Sequence, residues 1–163
     1  MEVRIATIPS KNLAGKRLRM SFSENRVAEL WRSFMPERKL IKNNLTTDLF
    51  SVQVFDSDVD FRDFNGDTTF ERWAAVEVAD FSEVPQSMER YTLSGGLYAV
   101  FNYVGSSADF QKPFEYIFST WLPRSEFELD KREHFELLGE KYKNNDPASE
   151  EEIWIPVKKK QGE

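Results

Sequence analysis

The stretch SFSENRVAELWRSFMP, Ser21–Pro36, decides how the chain is read. Ser21 and Glu24 have the spacing of a capping box, in which each side chain satisfies the other's backbone N–H at a helix start. Val27, Leu30, Trp31 and Phe34 then fall at i, i+3, i+4 and i+7, one face of a helix. Pro36 stops it, because the residue before a proline is pushed out of the helical region. The flanking sequence is β-like. Glu2–Ile8 and Asn12–Ser21 precede the helix; FSVQVF (Phe50–Phe55) and FERWAAVEVADF (Phe70–Phe81) follow it. In the last segment Trp73, Ala75 and Glu77 share one strand side, and Ala74, Val76 and Val78 the other.

The same order returns further along. Met88–Tyr103 holds a strand, a Gly95-Gly96 turn and a second strand, LYAVFNYV. Gly105-Ser106-Ser107 opens a helix whose apolar face is Phe110, Phe114, Ile117 and Trp121. Pro113 falls near its first turn, where a missing N–H is tolerated, and Pro123 closes it. HFELLGEKY (His134–Tyr142) and EIWIPVK (Glu152–Lys158) are the remaining strands. The chain therefore reads as an α+β domain over 1–158. Two pseudo-twofold-related βαββ units, about 1–80 and 87–158, are joined by DFSEVPQ (Asp80–Gln86), with a flexible tail over 159–163. Antiparallel strands carry two main helices, and a cleft is expected where the halves meet, a common place for ligands.

The 163 residues suit one domain, which buries roughly 70% of its extended surface without a metal or disulfide staple. Aromatics make up 14%, with 14 Phe and 4 Trp, and the net charge is −6. An acidic chain is a poor nucleic-acid binder, so neutral or cationic partners are expected, and no direct nucleic-acid contact. The absence of cysteine removes disulfides, thiol nucleophiles and thiolate metal sites. No run approaches the ~20 apolar residues of a membrane helix, and no signal peptide is visible. A cytoplasmic protein without membrane contact is the expectation.

Few residues stand out chemically. Glu136 lies between Phe135 and Leu137, where an unpaired carboxylate is expensive to bury; it either meets a cation or pairs with a Lys or Arg of the chain. Glu77 shares a strand side with Trp73. Trp73 and Trp154 lie on corresponding strands of the two halves, and an indole face attracts cations; packing in the core is the alternative. Tyr142 shares the Glu136 side of its strand by period two, and Tyr98 starts a strand. Trp31 and Trp121 are assigned to the core. His134 is the lone histidine, and no Ser–His–Asp set, HExxH, P-loop or GxGxxG appears. The loop from Asp56 starts like a calcium loop, but Phe61 stands where that loop needs Gly and Asp67 where it needs Glu. No catalytic residue, metal ligand or cofactor is assigned.

Six phrases taken in order resemble the GyrI-like effector-binding superfamily: Ser23-Glu24-Asn25 leading into Leu30-Trp31, Phe50–Val54, Trp73–Val78, Tyr98–Phe101, Phe135-Glu136 and Ile153–Val157. That superfamily includes DNA-gyrase-inhibitory proteins and the drug-sensing domains of MerR-type and AraC-type transcription activators. The resemblance implies a pseudo-twofold pair of βαββ units around a pocket with a buried carboxylate, which Glu136 matches. It implies multidrug-type binding of a small organic cation or amphipathic molecule through that carboxylate and surrounding aromatics, and the strand pattern adds Glu77, Trp73, Trp154, Tyr142 and Tyr98 to Glu136 as candidate ligand contacts. The chain leaves no residues for a helix-turn-helix, so it resembles the stand-alone members: sensors or sequestering proteins. The alternative the resemblance offers is a hydrolase of strained electrophilic natural products using the same carboxylates. A weaker one is a protein partner such as a regulator or gyrase.

Overall fold

The computed structural model describes residues 1–161. The chain runs β1 (Glu2–Ile8), β2 (Lys11–Met20), α1 (Val27–Phe34), β3 (Leu49–Val54), β4 (Phe70–Glu77), β5 (Glu89–Leu93) and β6 (Gly96–Val104). Then come α2 (Gln111–Tyr116), a π-helical turn (Ile117–Trp121), α3 (Leu122–Arg124), β7 (Phe127–Leu129), β8 (His134–Leu138) and β9 (Glu150–Lys159). All strand pairings are antiparallel, in the order β1-β6-β9-β8-β3-β4-β2-β5, with β7 added against β9. Exchanging β1 with β5, β2 with β6, β3 with β8 and β4 with β9 returns the same order reversed, as a twofold between β3 and β8 requires. The outermost strand of each half is lent to the other: β1 pairs with β6, and β5 with β2.

Both helical layers lie on one side of the sheet. Leu30 and Phe34 of α1 are buried against Met20, Phe70, Ala74 and Val76, with Val27 and Trp31 packed beside them. The second layer sets Ile117, Phe114, Phe110 and Trp121 on Ala99, Phe101, Ile153 and Ile155. Fully burying each such side chain stabilises by roughly 1.5–3 kcal/mol. The first helix starts later than its capping box suggests. Ser21 Oγ does accept from Glu24 N at 3.0 Å, but this closes a turn, and Asn25 Oδ1 then takes the N–H of Val27 at 2.9 Å. Pro36 sits inside a 3₁₀ continuation, Met35–Leu40. HFELLGEKY is a strand only as far as Leu138. Within the expected tail, Lys159 ends β9 and Lys160 donates to the Pro123 and Ser125 carbonyls. The last two residues of that expected tail, 162–163, lie outside the described residues.

The helix-free side is buried as well. Leu13, Val52, Leu93, Tyr98, Val100 and Phe135 have almost no exposure there, and Trp73 and Trp154 little more. No helix covers them; side chains of both edge strands, Ala6 and Ile8 of β1 and Tyr91 and Leu93 of β5, pack onto the same cluster. At Gly95 an added Cβ would come within 2.7 Å of Ile8 O and Ser10 N, so the two strand turns press together. Across the gap, Tyr91 of β5 donates to Glu133 at 2.7 Å, at the entrance to central β8.

Candidate functional site

Strand register sorts the predicted residues onto two faces. Residues paired across an antiparallel ladder share a side. Val52 opposes Phe135, and their outer neighbours are Trp73 and Trp154, so this row lies on the helix-free face. One step along, Ser51 opposes Glu136, flanked by Ala74 and Ile153, which lie under the helices. Glu136 and the two tryptophans therefore do not share a pocket. A one-residue step along a strand reverses the side chain, which is why reading Glu136 together with Trp73 fails.

The helix-free face is packed core. Tyr98 meets Trp154 and Phe135 edge-on and donates to Ser94 O at 3.2 Å, with the Arg132 guanidinium 4.6 Å over its ring. The two indoles occupy matching environments. Trp73 Nε1 donates to Glu71 at 2.7 Å under Arg17, and Trp154 Nε1 to Glu152 at 3.2 Å under Arg4. Their cations come from the chain itself. Glu77 does lie on the Trp73 side, at the strand end, held 3.5 Å from Lys11 Nζ.

Between the two helical layers the same sheet presents ionisable groups. Ser51 and Gln53 of β3, His134 and Glu136 of β8, and Arg72 and Glu151 on the strands outside them form one polar floor. Glu136 is 4% exposed, and its Oε1 accepts from Gln53 Nε2 at 3.2 Å. Burial pushes its pKa above the usual carboxylate value, against the pull of Arg72 and Gln53. Burial, then the neighbouring Glu136, raises Glu151 to about 8 while Arg72 opposes. Burial and then Arg132 hold His134 down to about 3, so its imidazole is neutral. Burial likewise raises Tyr142, with Glu151 adding to it. Tyr142 reaches this region from the turn after β8, where its N–H bonds Gly139 O, rather than from the strand.

Rings close over the floor. Phe55 lies 5.0 Å from His134, Phe61 5.7 Å and Phe118 6.4 Å between centroids. Phe61 and Phe64 belong to the Asp56–Thr69 connection and stack on each other at 5.8 Å. Phe118 belongs to the π-helical turn, a feature that gathers at functional sites. Two open crevices lie elsewhere, one of about 330 Å³ lined by Met35, Arg38, Lys39, Ile41, Asn44 and Val76 beside α1, and one of about 340 Å³ lined by Phe81, Arg90, Tyr91 and Thr92. Neither is lined by a carboxylate, so the buried acids point to the covered floor as the candidate site. Arg72 and Glu151 were missed in the sequence, although period two puts Arg72 with Ala74 and Val76, and Glu151 with Ile153, on a buried side.

Two twofold-related units of strands and helix, with a buried carboxylate floor between their helical layers, define a small-molecule-binding fold. The model of the GyrI-like small molecule binding domain matches residues 1–158, and the chain belongs to that family. SAV2435, solved bound to tetraphenylphosphonium, superposes with TM-score 0.72 at 20% identity, over 97% of this chain and 94% of its own. The EcmrR C-terminal domain gives 0.69 at 15% identity, over 97% and 98%. A hydrolase from Listeria innocua gives 0.59 at 10%, over 96% and 92%. At these identities the likeness establishes the fold. No curated protein matches the sequence. Among the described residues, no helix is long and apolar enough to cross a membrane, and no group of three or more His, Asp or Glu is placed to hold a metal ion.

Proposed function

We propose that the domain, 1–158, is a cytoplasmic sensor or sequestering module that binds amphipathic organic cations on the floor between its helical layers. The observation that carries this is Glu136, a carboxylate buried on a central strand and hydrogen-bonded to one neutral amide, two residues along that strand from His134, beside which Phe55, Phe61 and Phe118 lie. A desolvated carboxylate is costly, and an entering cation offsets that cost. Arg72 lies near enough to lower the Glu136 pKa but is outweighed by burial. Two carboxylates facing one guanidinium leave the floor room for a further positive charge. The aromatic cover must part to admit a ligand, and the rings then line it, each cation–ring contact adding roughly 0.5–2 kcal/mol. The likeness to SAV2435, solved with a phosphonium cation, supports the reading.

Calorimetric titration tests it. Tetraphenylphosphonium should bind, and neutral triphenylphosphine oxide should bind far more weakly. With Glu151 at about 8, a cation beside it should also expel its proton near pH 7, so the enthalpy should change with the buffer's ionisation heat. Equal binding of both compounds, without proton release, would mean the floor does not read charge.

One observation favours a second reading. A carboxylate at about 8 beside Tyr142 is poised as a general base near neutrality. A hydrolase of strained electrophiles would use it to activate water. Product formation from a cyclopropane-bearing electrophile, lost in Glu151→Gln, would select this reading over the sensor.

A further inference from the structure

Arg72 lies in this floor with its hydrogen-bonding capacity largely unspent. Nη1 makes one long contact, 3.4 Å to Ser51 Oγ, and the guanidinium carbon lies 5.7 Å from the Phe70 ring. Nε is shut away from solvent with no partner. The side chain that could complete it, Glu136, directs Oε1 to Gln53 instead. In the same cross-strand row, Gln53 links Arg72 to His134, whose Nε2 is also buried and unpartnered. An arginine presents five donors in a fixed planar fork and cannot shed its charge. A structural ion pair would have used that fork; here it is held under the aromatic cover with donors free.

We propose that Arg72 and His134 form an acceptor subsite of the groove, so that the ligand carries an anionic oxygen group, a carboxylate or its equivalent, alongside its cationic centre. The ligand class is then an amphipathic zwitterion. A carboxylate matches the planar fork with two parallel N–H···O bonds, and His134 Nε2, as the N–H tautomer, donates a third. The positive centre faces Glu136, and the apolar body lies among Phe55, Phe61 and Phe118. This rests on the cation reading of the same groove and adds a second, opposite charge requirement to it.

The test compares two phosphonium salts that differ in one group: (4-carboxybutyl)triphenylphosphonium and pentyltriphenylphosphonium. By titration calorimetry the wild-type protein should bind the carboxylated salt about tenfold more tightly or better. Arg72→Met should erase that preference while leaving the pentyl salt bound. Arg72→Lys keeps a charge in the floor but loses the fork, and should retain only part of the preference. Thermal melts of both variants show whether the fold is kept. No preference in the wild type overturns the proposal, as does full preference in either variant. If neither phosphonium binds, 5-phenylpentanoate separates the two ideas. Its Arg72-dependent binding upholds the acceptor subsite and sinks the cation reading, whereas no binding sinks both.

Discussion

The two halves share one architecture and have opposite chemistry. In the register that matches Val52 with Phe135 and Trp73 with Trp154, Ser51 and Gln53 of the first half correspond to His134 and Glu136 of the second. By the same register Phe70 and Arg72 correspond to Glu151 and Ile153. The first half thus contributes amide, hydroxyl and guanidinium, and the second contributes both carboxylates and the imidazole. On the helix-free face the halves stayed alike in the indole and its glutamate, Trp73 with Glu71 and Trp154 with Glu152, while the arginines over the two rings come from strands the twofold does not relate, Arg17 of β2 and Arg4 of β1. The repeat is kept where it packs and broken at the polar floor. A symmetric floor would hold two like charges close together or none; divergence leaves one acid cluster facing one guanidinium.

The largest effects should come from the face that stayed symmetric. Trp73→Ala and Trp154→Ala should each cost about 3–5 kcal/mol of stability by urea denaturation, since both indoles are buried in the helix-free core. The folded fraction of each variant should still bind tetraphenylphosphonium. Loss of binding with stability intact would return the indoles to the ligand site and break the contrast between faces.

Next come the titrating groups that only the second half has. Glu151 is raised from 4.5 to about 8, so its share of stability is fully present below pH 4.5 and is lost as pH rises through 8. His134 is lowered from 6.5 to about 3, so its share is present above pH 6.5 and is lost as pH falls through 3. Glu151→Gln should flatten the alkaline limb of a stability–pH curve, and His134→Asn the acid limb. Unchanged limbs in both variants would show that burial does not set these protonation states.

The architecture was more legible in the sequence than the site was. Trp31 with Pro36, and Trp121 with Pro123, mark helices because their signals are local. The 3.6 period and a buried face lie within one element, although Pro36 and Pro123 each sit inside a helical continuation instead of ending the helix. The exchange of β1 and β5 between halves leaves no such local trace, since strand partners are chosen by distant residues, and β7 is too short to show a period. The site failed for a related reason. Glu136 is visible as a carboxylate in an apolar strand, but its neighbours depend on register, and one residue of register moves a side chain to the other face. Trp73 stands out in the sequence because indoles are rare; Arg72 beside it, on the side that matters, does not.

A smaller effect sharpens the comparison of the floors. Glu136→Gln should weaken tetraphenylphosphonium by about 1.4–3 kcal/mol, at least tenfold, and triphenylphosphine oxide much less. The double exchange Gln53→Glu with Glu136→Gln moves the acid to its twofold-related position, across a 3.2 Å hydrogen bond in the wild type. If the floor requires only a buried carboxylate, the exchange should restore most of the lost affinity. If it requires the acid beside Glu151 in the second half, affinity should stay low. Full wild-type affinity in Glu136→Gln alone would place the cation elsewhere.

The smallest expected effect concerns the arginines over the paired indoles. Arg17 packs 5.8 Å from the Trp73 ring and binds two carboxylates, Glu71 at 2.8 Å and Glu89 at 2.9 Å. Arg4 lies 5.6 Å from Trp154 and binds one, Glu152 at 2.9 Å. Both side chains are about half exposed, so solvent and salt screen their charges. An exposed ion pair contributes about 0.2–1 kcal/mol, and a cation–π contact at such a site about 0.5–1 kcal/mol. Arg17→Ala should therefore cost slightly more than Arg4→Ala, each near 1 kcal/mol or less, and added salt should shrink the difference, because the extra Glu89 pair is the most exposed part of it. Denaturation at low and high ionic strength reads this directly. A larger loss for Arg4→Ala would mean that edge strand β1 depends on its arginine to stay docked on the other half, and the two indole sites of the helix-free face would then not be energetically alike.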